Sequence, residues 1–86
     1  MSRQETQDRW DAIYSEHRTV GEPDPFVTAS EFLPLPPARA VDLAGGTGGT
    51  ALWLAANGYE VSLVEISQTA IEVAKREAAH RQLKLS

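Results

Sequence analysis

The sequence predicts an α/β fold in which strands and helices alternate and the strands form a parallel sheet. Two observations support this fold class. Short apolar runs at 40–44 and 60–65 are each followed by a segment of good helix formers, and a cluster of glycines separates the first run from its helix. Strands joined through a helix cross over in the right-handed sense and pair in parallel. Since sheets average about five or six strands, we expect these 86 residues to be the first third of such a domain.

The N-terminal region predicts an amphipathic helix over residues 3–18. Trp10, Ile13, Tyr14 and His17 follow the spacing i, i+3, i+4 and i+7, which places them on one helix face. All five prolines fall in residues 21–37, so we expect a loop and a short helix there. Four apolar residues of this connection are expected to hold it against the rest of the chain: Phe26, Val27, Phe32 and Leu33.

The first strand and helix are predicted from residue 38 onward. The run 40–44 is largely apolar and is expected to be buried on both faces, as central parallel strands are. Residues 45–49 form a turn, and 50–56 read as a helix that Asn57-Gly58 brings to an end. We therefore divide the chain into residues 1–37 and a partial α/β domain over 38–86.

A second strand and helix follow. The strand is predicted at 60–65, and Ser67 is a suitable N-cap for a helix over 68–80. Residues 83–85 could begin a third strand. One inward stripe is expected on the second helix, formed by Ile71, Ala74 and Ala78.

Composition excludes several classes of protein. The chain has no cysteine, so disulfides and cysteine-based zinc sites are excluded, and His17 and His80 stand too far apart to indicate a metal site. The net charge is −4, and no basic stripe interleaved with aromatics indicates direct nucleic-acid binding. The polar N-terminus does not resemble a secretory signal, and no apolar run is long enough to span a membrane. A cytoplasmic protein is the expectation.

The glycine cluster indicates a ligand-binding turn. Glycines between a strand and a helix allow a close approach of a ligand to the backbone, and the helix directs its free N–H groups at that ligand. Glu65 ends the next strand, where an acid can accept hydrogen bonds from a ribose diol. Together these features predict a nucleoside-containing cofactor. A tight turn without a ligand, with Glu65 as a solvated strand end, is the alternative.

Three segments resemble the class I S-adenosylmethionine-dependent methyltransferases. Residues 42–48, Asp-Leu-Ala-Gly-Gly-Thr-Gly, resemble the family's first motif, residues 61–67 resemble its second, and 51–58 resemble the helix between them. The resemblance covers residues 38–82. Within the family, the chain is similar to small bacterial methyltransferases of the tellurite-resistance and thiopurine type. It implies the N-terminal part of a Rossmann-like, doubly wound sheet preceded by a helical lid.

The resemblance also implies roles for individual residues. Asp42 would lie near the methionine amino group, Glu65 would hold the ribose hydroxyls, and Ile66 would lie against the adenine. The methionine portion would be lined by Ala44, Gly45, Gly46 and Gly48. Two positions depart from the family pattern, since Ala44 stands where a glycine is usual and Gly49 where a larger polar residue is common.

The sequence leaves some assignments open. Trp10 and Tyr14 either form part of a lid or only pack the helix on the domain. The run from Gly46 to Ala51 also fits the Gly-x-Gly-x-x-Ala motif of NAD(P)-binding oxidoreductases, although Asp42 would repel a pyrophosphate. A truncated, non-catalytic remnant is a third reading, because no catalytic residue can be named. The predicted function is S-adenosylmethionine-dependent methyl transfer to an unidentified acceptor.

Overall fold

The computed structural model describes residues 2–16 and 18–86. Its helices and strands alternate along the chain as the α/β prediction requires. In chain order they are α1 (Arg3–Glu16), α2 (Pro25–Thr28), β1 (Arg39–Leu43), α3 (Gly49–Ala56), β2 (Glu60–Val64) and α4 (Gln68–His80). The strand–helix–strand–helix unit after the proline-rich connection confirms the predicted fold class.

The sheet is parallel, with β1 beside β2 and Arg39 in register with Glu60. Along the opposite edge of β2, the Ser86 N–H donates to the Val61 carbonyl at 3.0 Å and the Ser86 carbonyl accepts from the Leu63 N–H at 2.8 Å. This alternation is that of a parallel ladder. Residues 83–85, predicted to begin a third strand, are not in a strand, yet the chain reaches the pairing edge of β2 at Ser86.

The core lies between α3 and one face of the sheet. Ala51 and Leu54 of α3 pack with Val61 of β2. Val27 and Leu33 of the proline-rich connection pack against this cluster, as predicted. The same prediction was wrong for Phe26 and Phe32, which are 90% and 93% exposed.

The other face of the sheet is exposed among the described residues, although the apolar runs are typical of strands that are covered on both faces. Val41 and Leu43 are 64% and 72% exposed, and Val64 is half exposed. Successive side chains of a strand point to opposite faces, so these residues face away from α3. Among the described residues, no element lies over this face closely enough to bury them.

Helix α4 begins where the sequence predicted. The Ser67 hydroxyl accepts a hydrogen bond from the Ala70 N–H at 3.1 Å and caps the helix. The buried stripe is displaced from the prediction, because Ile71 is only half-buried. Its buried members are Ala70, Val73, Ala74 and Ala78.

Gly48 allows α3 and α4 to approach closely. Its φ of +88° lies in the left-handed region, and a Cβ at this position would be 2.7 Å from the Cβ of Ala74. Any other residue would therefore force the start of α3 away from α4. The close packing of α3 on α4 therefore explains why residue 48 is a glycine. The family resemblance assigns this glycine to ligand binding.

Helix α1 ends at Glu16, two residues before the predicted end, and His17 of the predicted apolar face lies outside the described residues. Trp10 and Tyr14 stack with their ring centroids 6.0 Å apart. None of the residues described in α1 is buried. The helix therefore lies on the domain surface and is not part of its core.

Candidate functional site

The candidate site lies at the edge where the carboxyl ends of β1 and β2 meet. The glycine loop follows β1, Glu65 follows β2, and α1 lies beside them. This edge is where ligands bind in open parallel sheets. A cavity of about 270 Å³ opens there. Its lining combines two aromatic side chains of α1 with the strand ends: Trp10, Tyr14, Ala44, Val64, Glu65 and Ile66.

Glu65 joins the two strand ends through its carboxylate. Oε1 accepts from the Gly46 N–H at 3.0 Å, and Oε2 accepts from the Ser67 N–H at 2.8 Å. Each carboxylate oxygen retains a further lone-pair site that could accept from a ligand hydroxyl. Glu65 is therefore fixed by the backbone and is not a freely solvated strand end.

Asp42 is the least satisfied polar group of the site. Its Oδ2 atom is buried and has no hydrogen-bond partner among the described residues. It lies beneath the loop, where a Cβ at Gly45 would be only 2.6 Å away. Burial raises the pKa of Asp42, a backbone hydrogen bond from Ala51 opposes this rise, and the charges of Asp24 and Glu65 raise the pKa further. The site is thus acidic.

Ala44 begins the loop in a strained conformation. Its φ is +53°, in the left-handed region that L-residues other than glycine avoid at a cost of about 1–2 kcal/mol. The side chain lies on the cavity lining. The alanine that stands where the resemblance implies a glycine therefore adopts a glycine-like conformation at the expense of local strain.

Tyr14 lies over the glycine loop. Its hydroxyl oxygen is 3.0 Å from the position that a Cβ of Gly46 would occupy. Partial burial raises the pKa of Tyr14, and the charge of Glu65 raises it further. Trp10 and Tyr14 therefore line the cavity as well as stacking on each other. Their role as a lid stays a prediction.

Asp11 was missed by sequence reasoning. Its Oδ1 accepts from the Ser67 hydroxyl at 2.5 Å and from the Thr69 N–H at 3.1 Å. The hydrogen bond from Ser67, and then that from Thr69, lowers the pKa of Asp11. The available signal was its position beside Trp10 and one turn before Tyr14, on the face of the helix that the aromatic residues mark.

Two threonines hold the connection against the glycine loop and were also missed. The Gly21 N–H donates to Thr47 Oγ1 and the Asp24 N–H donates to Thr50 Oγ1, both at 2.9 Å. These bonds bring residues 21–24 to the start of α3. They also bring the Asp24 carboxylate close enough to act on Asp42.

Only some of the predicted site residues lie together at the cavity. Ala44, Glu65 and Ile66 line the cavity, and Gly46 bonds to Glu65. Asp42 and Gly45 lie beneath the loop, away from the cavity lining. Gly48 packs against α4 and does not reach the cavity.

Within residues 2–16 and 18–86, no three His, Cys, Asp or Glu side chains form a cluster that could hold a metal ion. Over the same ranges, no helix combines the length and the apolar character needed to cross a membrane.

The architecture and the loop define the class of protein: a partial Rossmann-like α/β domain with an N-terminal helix. A family model described as a methyltransferase domain matches residues 41–86, more than half of the chain. The chain therefore belongs to the class I S-adenosylmethionine-dependent methyltransferases. Similarity to the tellurite-resistance and thiopurine enzymes stays a prediction.

A solved structure supports the same assignment. It is a protein studied for the conversion of a disulfide bond into a thioacetal group during echinomycin biosynthesis, and it shares 35% sequence identity with this chain at a TM-score of 0.77. The match covers 92% of this chain and 37% of that protein. This chain therefore spans little more than a third of its solved relative. No curated protein matches it.

Proposed function

We propose that this chain forms the cofactor-binding part of an enzyme that transfers a methyl group from S-adenosylmethionine to an acceptor. Residues 38–86 would be the partial cofactor-binding domain, and residues 1–37 would supply the helix and connection that flank it. The acceptor is not assigned, because in this fold the selectivity for the acceptor lies in side chains outside the cofactor loop.

The acidic character of the loop carries the proposal. Asp42 has a buried oxygen that finds no partner among residues 2–16 and 18–86, and Asp24 and Glu65 lie close enough to raise its pKa. S-adenosylmethionine carries positive charge on its sulfonium and amino groups, so this cluster of carboxylates favours it. A dinucleotide would bring a negatively charged pyrophosphate to the same loop, where like charges repel.

The residues present fit the proposed cofactor. Glu65 would hold the ribose hydroxyls, and its carboxylate is already oriented by the Gly46 and Ser67 amides. Ile66 would lie against the adenine, within a cavity that aromatic side chains of α1 also line. The methionine portion would extend out of the cavity along the glycine loop formed by Ala44, Gly45, Gly46 and Gly48, and Asp42 would face the amino group from beneath the loop. Gly48 would contribute by letting α3 start close to α4.

The chemistry belongs to the cofactor, which supplies an electrophilic methyl group on its sulfonium sulfur. The chain's own residues orient and shield it. Two amide donors fix Glu65 before any ligand arrives, which lowers the ordering cost of binding. Trp10 and Tyr14 cover one side of the cavity and limit the access of water.

The proposal is tested by calorimetry on the complete gene product that carries residues 1–86. S-adenosylhomocysteine should bind with a saturable heat, whereas NAD and NADP should produce no comparable response. Adenosine serves as a control for binding through the nucleoside alone and should bind more weakly than S-adenosylhomocysteine. Tighter binding of either dinucleotide would replace the methyltransferase proposal with an oxidoreductase one. No binding of any of these ligands would favour a remnant.

A further inference from the structure

Among the described residues of α1, Asp11 is the side chain that hydrogen-bonds to the segment following Glu65. Its Oδ1 receives two hydrogen bonds from the start of α4, one from the Ser67 hydroxyl at 2.5 Å and one from the Thr69 N–H at 3.1 Å. These partners lie 56 and 58 residues away in the sequence. Asp11 therefore makes a tertiary contact and caps α4 from outside.

Ser67 transmits this contact towards the site. Its side chain is fully buried, and its hydroxyl oxygen accepts from the Ala70 N–H while its proton is given to Asp11. The Ser67 backbone N–H donates to Glu65 Oε2 at 2.8 Å. A continuous series of hydrogen bonds thus runs from Asp11 through Ser67 to Glu65, and from there to the Gly46 N–H.

Apart from Asp11, α1 packs against α4 and the glycine loop through side chains that are only partly covered. None of the residues described between Arg3 and Glu16 is buried, and Trp10 and Ile13 are each about two-fifths exposed. The apolar contribution to docking is correspondingly small, because it scales with the area removed from water. The location of Trp10 and Tyr14 on the cavity wall therefore depends on the hydrogen bonds of Asp11, which lies between these two residues in the sequence.

We propose that Asp11 is a positioning residue for the cofactor site: it fixes the turn that orients Glu65 and holds the Trp10–Tyr14 wall against the cavity. It does not itself contact the ligand. This inference rests on the proposed function, since the property that Asp11 would change is the affinity for the adenosyl cofactor.

The test compares Asp11→Ala, Asp11→Asn and two matched controls in the complete gene product, with calorimetry of S-adenosylhomocysteine. Asp8→Asn removes an exposed carboxylate of the same helix that bonds only locally to Gln4. Ala79→Gly weakens α4 at an exposed position without touching Asp11. Asp11→Ala should weaken binding by about tenfold, because without its two hydrogen bonds the binding-competent arrangement of α1 and Glu65 would be populated about tenfold less. Asp11→Asn, which keeps the acceptor oxygen, should restore most of the affinity.

A second readout separates positioning from general loss of stability. Trypsin should cut after Arg9 faster in Asp11→Ala than in either control, because α1 leaves the domain more often. Thermal unfolding should show Ala79→Gly to be destabilised with its affinity unchanged. Wild-type affinity in Asp11→Ala, or an equal loss of affinity in Ala79→Gly, would overturn the positioning role alone. Failure of the wild-type protein to bind S-adenosylhomocysteine would overturn the proposed function together with it.

Discussion

The core beneath α3 and the edge that carries the glycine loop are stabilised in different ways. In the core, Ala51, Leu54 and Val61 are buried among apolar neighbours. At the loop, Ala44 adopts a left-handed conformation and Asp42 has a buried oxygen without a partner in the described part of the chain. The loop edge contains strained and unsatisfied groups that the core does not.

This difference supports the proposal that the loop edge is the functional part of the molecule. Strained backbone and buried, unpaired polar groups persist only where the surrounding structure imposes them, and they cluster where ligands bind. The core can be optimised for stability alone, whereas the loop must remain open to a ligand. Substitutions in the two regions should therefore change different quantities.

Truncation of the core should have the largest effect on stability. Leu54→Ala removes a nearly buried side chain from the cluster beneath the sheet and should lower the free energy of unfolding by about 2–4 kcal/mol. In the 86-residue polypeptide, Leu43→Ala on the open face of β1 should change the free energy of unfolding by less than about 0.5 kcal/mol. Both values are measured by urea denaturation. A large loss for Leu43→Ala would show that a further chain or a second copy covers the open face.

Glu65→Ala should change affinity more than any other substitution at the loop. Hydrogen bonds to charged groups contribute about 1.5–3 kcal/mol, so calorimetry should show S-adenosylhomocysteine binding weakened by at least about tenfold. Stability should also fall, because the Gly46 and Ser67 amides lose their acceptor. The matched control is Glu60→Ala at the opposite end of β2, where the carboxylate pairs with exposed Arg39. Equal affinities in the two variants would remove Glu65 from the site.

Asp42→Asn should raise stability and weaken cofactor binding. Because the pKa of Asp42 is raised in the folded state, that state binds more protons than the unfolded chain between the usual carboxyl pKa and the raised value. The contribution of Asp42 to stability therefore falls as pH rises through this window. The variant should lose this pH dependence and melt at a higher temperature at neutral pH. A lower melting temperature would mean that Asp42 has a partner in solution.

Ala44→Gly should produce the smallest change. Glycine adopts the left-handed conformation of this position without steric cost, so relief of strain should stabilise the fold by about 1 kcal/mol, partly offset by the greater freedom of the unfolded chain. Thermal unfolding measures the effect. The control is Ala56→Gly at the exposed last residue of α3, which has no positive φ, so that glycine should destabilise the protein there. A loss of stability in both variants would show that Ala44 is not strained.

The sequence predicted the order of elements and the two motif segments because these depend on local features. Apolar runs, the Ser67 cap and the Asn57-Gly58 stop are each encoded within a few residues. The site was predicted only in part. The hydrogen bonds of Asp11 to Ser67 and of Gly21 to Thr47 join residues far apart in the chain, and no local pattern specifies them.

The burial of individual side chains was predicted least well, because it too depends on contacts between residues that are far apart in the chain. Val41 and Leu43 are apolar, which predicted a strand covered on both faces, but coverage depends on which elements pack there. The roles of Phe26 and Phe32 were also misjudged, since an aromatic residue in a connection can face either the core or solvent. Tertiary placement, not composition, decides these cases.

The most direct test of the central claim is a crystal structure of the complete gene product with S-adenosylhomocysteine. The account predicts density for the ligand in the cavity beside Trp10 and Ile66, with ribose hydroxyls within about 3 Å of the Glu65 oxygens, as hydrogen bonding requires. The amino group should lie on the side of Asp42. Ligand density elsewhere on the protein, with Glu65 bonded only to Gly46 and Ser67, would contradict the assignment of this edge as the cofactor site.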